Sequence, residues 1–270
     1  MLLAALALMA SDPVVIGAPP VADPSLSGAA QAIEAGRLDQ AKAMIAAAIG
    51  TGAKGDVVDR LMADLFYARG EFGQALAGYQ LLLERHPDEA LLLERAGISA
   101  LRLNQQEVAV ALLDRATRAQ GAGWRAWNAR GVAADRDGRW GEADAAYDHA
   151  EALSPGHAEV ANNRGWSLML RGRWAAALEQ FEHAAAINPA LPRLASNLEL
   201  ARAAVSADLP QRAPGERDDA YAVRLNDAGV VAEADGNIAR ARAAFAQAIE
   251  LTSRWNARAA QNLATVQGDK

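Results

Sequence analysis

Residues 158–191 read AEVANNRGWSLMLRGRWAAALEQFEHAAAINPAL, and the spacing inside this stretch decides the fold. Gly165 falls within a run that otherwise favours helix, where glycine costs roughly 1 kcal/mol relative to alanine. A glycine at that phase predicts a second helix crossing there with no space for a Cβ. Gly172-Arg173 ends the first helix, as a glycine just past a helix end does. A second helix is predicted from about Trp174 to Ile187, with Ala177, Phe181 and Ala184 at i, i+4 and i+7 on one face. Asn188-Pro189 closes the stretch, because the residue before proline is biased away from helix.

The same positions recur outside the stretch. Gly97, Gly131 and Gly165 stand 34 residues apart, and so do Ala75, Ala109, Ala143 and Ala177. Ala116, Ala150 and Ala184 keep the interval, as do the large residues Tyr79, Leu113, Tyr147 and Phe181. Pro87, Pro155 and Pro189 close units, with Gly121 in the same slot. Several lines of residues sharing one period mark a repeat architecture, which an irregular alanine-rich bundle does not explain.

The arrangement resembles the tetratricopeptide repeat. Gly131, Ala143, Tyr147, Ala150 and Pro155 match that family's pattern, with Trp127 in the tryptophan slot. Gly165, Leu168, Ala177, Phe181, Ala184 and Pro189 match it again. Four units in register begin near Asp56, Ala90, Trp124 and Ala158. A degenerate unit with Gly36, Ala41, Ile45 and Ala48 precedes them, and a further one near Ala222 carries Gly229, Gly236, Ala241, Phe245 and Ala248. The resemblance covers roughly four-fifths of the chain. It implies an all-α, right-handed superhelix of about five or six helix-turn-helix pairs, an α-α solenoid.

The period slips once: Gly229 follows Gly165 by 64 residues, not 68. Residues 192–207 read as one helix, with Leu194, Leu198, Ala201 and Val205 on a stripe, capping the first array. Pro210, Pro214 and Gly215, amid charged residues, read as a linker. The expected division is a lead-in over 1–24, a main array with its cap over 25–207, a linker over 208–221 and a C-terminal unit over 222–270. A closing helix over 254–266 would turn Trp255, Ala259, Leu263 and Val266 inward.

Composition narrows the function. A net charge of −6 and a pI near 5.3 argue against a nucleic-acid partner, which needs a basic stripe. The chain has no cysteine, which excludes disulfides, thiolate catalysis and cysteine-type zinc sites. The apolar run Leu2–Ala10 is too short to span a bilayer and suits a signal-peptide core, although no basic residue precedes it. Leu8-Met9-Ala10-Ser11 has the layout of a lipoprotein cleavage box with serine in place of cysteine. Export to the periplasm is favoured over a cytoplasmic chain with an inconsequential tail.

Catalytic signatures are weak. Gly50, Gly52 and Gly55 satisfy a GxGxxG string, but an alanine-rich helix precedes it where a dinucleotide site needs a strand. His149 and His183 lie one period apart, yet a metal bridge would need further ligands. No cofactor and no metal are expected, and the chain reads as a non-enzyme.

By resemblance, the first helix of each pair lines a concave groove. The fifth places hold Arg60, Glu94, Asn128, Asn162 and Asn226; the ninth hold Asp64, Ile98, Val132, Trp166 and Val230. An asparagine amide both donates and accepts, so a ladder of them suits an extended peptide, or equally a join between neighbouring helices. Trp166, Met169 and Leu170 form an apolar patch suited to an anchor residue, unless the helix over 192–207 covers it. Arg102 and Arg136 complete the expected groove without making a charged clamp. Trp140 and Trp174 read as inter-helix packing. The expected function is a scaffold binding a polypeptide segment. Overall layout and the segment Asn162–Trp166 are similar to tetratricopeptide proteins of bacterial tight-adherence (Flp) pilus assembly, which implies an assembly factor for a surface structure. The alternatives are self-association through the C-terminal unit, and a hydrolase or transferase using residues 208–221.

Overall fold

The computed structural model describes residues 24–206, 209–251 and 257–268. The leading apolar run and Trp255 lie outside them. Among the described residues all regular structure is helical: α1 (Pro24–Glu34), α2 (Leu38–Gly50), α3 (Asp56–Ala68), α4 (Phe72–Arg85), α5 (Ala90–Arg102), α6 (Gln106–Arg118), α7 (Trp124–Arg136), α8 (Trp140–Leu153), α9 (Ala158–Leu170), α10 (Trp174–Ile187), α11 (Leu194–Ser206), α12 (Asp218–Ala234), α13 (Ile238–Glu250) and α14 (Ala257–Gly268). They fall into two compact units, one ending at Pro155 with α8 and one starting at Gly156 before α9.

In the first unit α3 packs on α4, α5 on α6 and α7 on α8, and the pairs stack through α4–α5 and α6–α7. In the second unit α9 packs on α10 and α12 on α13, with α11 against α10 and α13, and α14 against α13. The repeating glycine is the reason for the close pairing. A Cβ on Gly131 would lie 2.6 Å from Tyr147 Cε1, and one on Gly165 would lie 2.5 Å from Phe181 Cε1. Gly97 stands in the same relation to Leu113, and Gly229 to Phe245. In these four pairs the large residue of the second helix therefore fills the gap left by the glycine of the first. These aromatic and leucine side chains are fully buried.

The turn inside each pair follows from the chain as well. Gly172 takes φ +70°, its N–H bonds to Met169 O at 3.0 Å, and Arg173 N–H reaches back to Leu168 O at 2.9 Å. This left-handed cap satisfies the last carbonyls of α9. Asn104 occupies the equivalent place after α5 at φ 60°, the conformation asparagine tolerates better than most residues. The GxGxxG string becomes the turn between α2 and α3. Trp174 is buried, whereas Trp140 is only partly so.

Residues 209–217 are non-helical, as their prolines predict, but they are tied down. Arg212 donates to Glu216 O at 2.6 and 2.9 Å and also to Asp218. Ala213 N–H donates to Glu216 Oε2 at 2.9 Å, and Tyr221 Oη to Pro210 O at 3.0 Å. α12 starts at Asp218, four residues earlier than the repeat pattern places it, with Asp218 and Asp219 favourably in its first turn. Ala259 and Val266 of α14 are buried, and Leu263 packs on the same cluster with Phe245.

Candidate functional site

The expected groove residues lie mostly inside the protein. Asn162 is fully buried, and its Oδ1 accepts from Asn197 Nδ2 on α11 at 2.7 Å. Asn226 Oδ1 accepts from Asn262 Nδ2 on α14 at 3.0 Å. Asn128 is fully buried too. For Asn162 and Asn226 the amide joins its helix to the next but one, α9 to α11 and α12 to α14. The sequence carries a signal for this in asparagines 35 and 36 residues downstream, Asn197 and Asn262.

Trp166 is 7% exposed and meets Phe181 edge-on, with ring centroids 6.3 Å apart. Met169 is buried, and its carbonyl accepts from Gln247 Nε2 on α13 at 3.0 Å. Leu170 is half-buried. Arg136 donates to Leu101 O at 2.9 Å; burial, with Arg102 beside it, draws its pKa below the usual arginine value. Arg102 is exposed, its guanidinium 5.2 Å from the centroid of the Phe72 ring.

Charges at these positions are also used internally. Asp64 is buried between Tyr79 Oη, which donates at 2.7 Å, and Arg95, which pairs with it. Burial works against the Arg95 charge, and the Asp64 carboxylate outweighs it, so the arginine pKa stands above its usual value. Burial pushes the Tyr79 hydroxyl well up, so it remains a donor. Tyr147 Oη makes the same bond to Asp135 at 2.7 Å. His149 stacks on Trp127 at 4.3 Å, which is how the structure uses that histidine.

One first helix differs. At the ninth place Asp64, Ile98, Val132 and Trp166 are buried, but Val230 on α12 is 46% exposed. Val223 and Val231 beside it are 57% and 58% exposed. With Asp227 and Ala234, also exposed, they share one helix face: positions i, i+4, i+7, i+8 and i+11. The opposite face, with Tyr221, Leu225, Gly229 and Ala232, is buried. α12 is thus apolar on both sides, and only one side can face α13. Sequence reasoning named Val230 and missed Val223, Asp227 and Val231; the signal was a valine set lying off the Leu225–Gly229–Ala232 stripe. Arg224 borders this face and donates to Glu216 Oε2 at 2.8 Å. The Ala213 N–H, then Arg224, hold the Glu216 carboxyl below its usual pKa. No helix among the described residues is long and apolar enough to cross a membrane.

Comparison with known proteins agrees with this geometry. Family models described as tetratricopeptide repeat match residues 60–123, 94–158 and 158–191. No curated protein sequence matches the chain. Among solved structures, the chain is similar to a thermophilic tetratricopeptide-repeat protein of Thermus thermophilus, at 20% identity and TM-score 0.56 over 66% of this chain and 97% of that one. It is similar to PilW, a type IV pilus biogenesis factor, at 20% identity and TM-score 0.55 over 93% of this chain and 100% of that one. A tetratricopeptide repeat protein from Parabacteroides merdae gives 15% identity and TM-score 0.54 over 90% and 98%. At these identities the likeness is one of fold. With interlocked helix pairs at the family's own period and the family models matching in register, residues 60–191 are built of tetratricopeptide repeats.

Proposed function

We propose that the chain is a non-catalytic scaffold that binds a polypeptide segment, and that the segment lies on the outward face of α12. The observation that carries this reading is the contrast at the ninth repeat place, where Val230 is open and its counterparts are closed. Val223, Val230 and Val231 form an apolar patch on the order of a few hundred Å². That is well short of the ~800 Å² per partner of a standard interface, so a short segment fits better than a second folded copy. Asp227 sits among the valines, so a segment with apolar anchors and one basic residue complements the face. The narrower reading, a part in assembling a bacterial surface structure such as a Flp-type pilus, rests on the sequence resemblance. The PilW likeness supports a shared architecture for it.

A photo-crosslinking residue placed at Val230 in the native host tests the site. Adducts are expected at Val230, reduced by Asp227→Arg, and absent from a control at Leu81, a more exposed residue of α4. Adducts of equal yield at both positions, or none at Val230, contradict the assignment.

A further inference from the structure

We infer that α12, α13, α14 and the strap of residues 209–217 form one body that releases from α9 and α11 as a unit, with its own core intact. The body coheres by itself. Phe245 fills the gap at Gly229, and Ala232, Ala241, Phe245 and Val266 form a hydrophobic cluster of their own, with Ile238 and Leu263 against it. The strap is bound to α12 by Arg212–Asp218, Arg224–Glu216 and Tyr221–Pro210, all of which travel with the body.

The dock is of a different kind. Gln247 is 1% exposed and spends its Nε2 on Met169 O, while its Oε1 is buried with no hydrogen-bond partner among the described residues. Glu250, three residues on along α13, buries Oε2 with no such partner, and the charge of Arg193, the residue before α11, acts on it. Each buried, unsatisfied oxygen opposes docking, whereas in water both would be solvated. At the α9–α10 turn the fit is close. A Cβ on Gly172 would lie 2.5 Å from Tyr221 Oη and 3.1 Å from Arg212 N, so the strap seats only because that residue is glycine. A complete core behind an incompletely satisfied, closely fitted contact is the pattern of a sub-global opening unit. Release bares the Met169 carbonyl and the Gly172 turn beside Leu170. The expected groove at the end of α9 is then closed by the chain's own C-terminal pair and opens when that pair departs.

The full chain has no cysteine, so single-cysteine variants report opening directly. Gln247→Cys reads the dock, Ala241→Cys the core of the releasing body, and Ala109→Cys the core of the first unit. Labelling by a thiol reagent is expected to be at least about tenfold faster at 247 than at 241, with a shallower urea dependence, because undocking exposes less surface than unfolding. Adding Gly172→Ala is expected to speed labelling at 247 about tenfold and leave 241 unchanged. The urea slope guards against bias from the reporter itself, and Leu209→Cys on the strap serves as a second reporter. Equal urea slopes at 247 and 241, or a Gly172→Ala effect shared by both, overturn the inference.

Discussion

Gly165→Ala puts the interlocking of helix pairs to a direct test. Alanine suits a helix interior better than glycine by about 1 kcal/mol, so the change would stabilise an unobstructed helix. At Gly165 the new Cβ would lie 2.5 Å from Phe181 Cε1, 2.6 Å from Cδ1 and 2.9 Å from Cζ. The ring is fully buried, so it yields only by moving α10 or leaving its rotamer. Overpacking of this kind costs about 1–3 kcal/mol. Set against the helix gain, the net loss is expected to be about 0–2 kcal/mol. Gly141, in α8, has nothing within 4 Å of its Cβ position. Gly141→Ala is therefore expected to stabilise by about 0.5–1 kcal/mol. Urea unfolding followed by far-UV circular dichroism compares the two midpoints. Phe181→Leu in the Gly165→Ala background should recover part of the loss, giving a coupling of about 1 kcal/mol in a double-mutant cycle. If Gly165→Ala stabilises as much as Gly141→Ala, the interlock is not what sets the helix spacing.

Other expectations follow from the same contacts. Asn197→Ala leaves the buried Asn162 Oδ1 without its donor and is expected to lower stability by about 1–3 kcal/mol, with a smaller loss when both asparagines become leucine. Burial pushes the Glu250 carboxyl from 4.5 up to about 7, so the folded state holds its proton more tightly than the unfolded chain. The stability from this site is full below about 4.5 and declines as pH rises through about 7, by about 3 kcal/mol at most; melting Glu250→Gln across that range should show the slope gone. Val230→Asp, on an exposed face, is expected to move the melting point little, within the roughly 0.5 kcal/mol of ordinary surface changes, while weakening crosslinking at α12.

The helix pairs were legible because the repeat is fixed by steric facts the sequence must record. Gly131 and Tyr147, or Gly165 and Phe181, have to change together, so their spacing shows. The start of α12 was less legible. Pro210, Pro214 and Gly215 announce a linker, and the bonds from Arg212 to Glu216 and Asp218 that order it depend on a turn no periodicity encodes. The groove was least legible. Whether Asn162 meets solvent or another helix is decided by Asn197, which stands outside the matched pattern. Where the Met169 carbonyl finds its donor is decided by Gln247, 78 residues away. Exposure of Val230 reflects what packs on α12, which the residue's own place in the repeat does not specify.

Methyl-resolved NMR with the segment recovered by crosslinking is the most direct test of polypeptide recognition on α12. Shifts are expected to be confined to Val223, Val230, Val231 and Ala234, with the core alanines of α9 and α10 undisturbed. Shifts centred on α5 or α7, with the α12 valines unmoved, would contradict it.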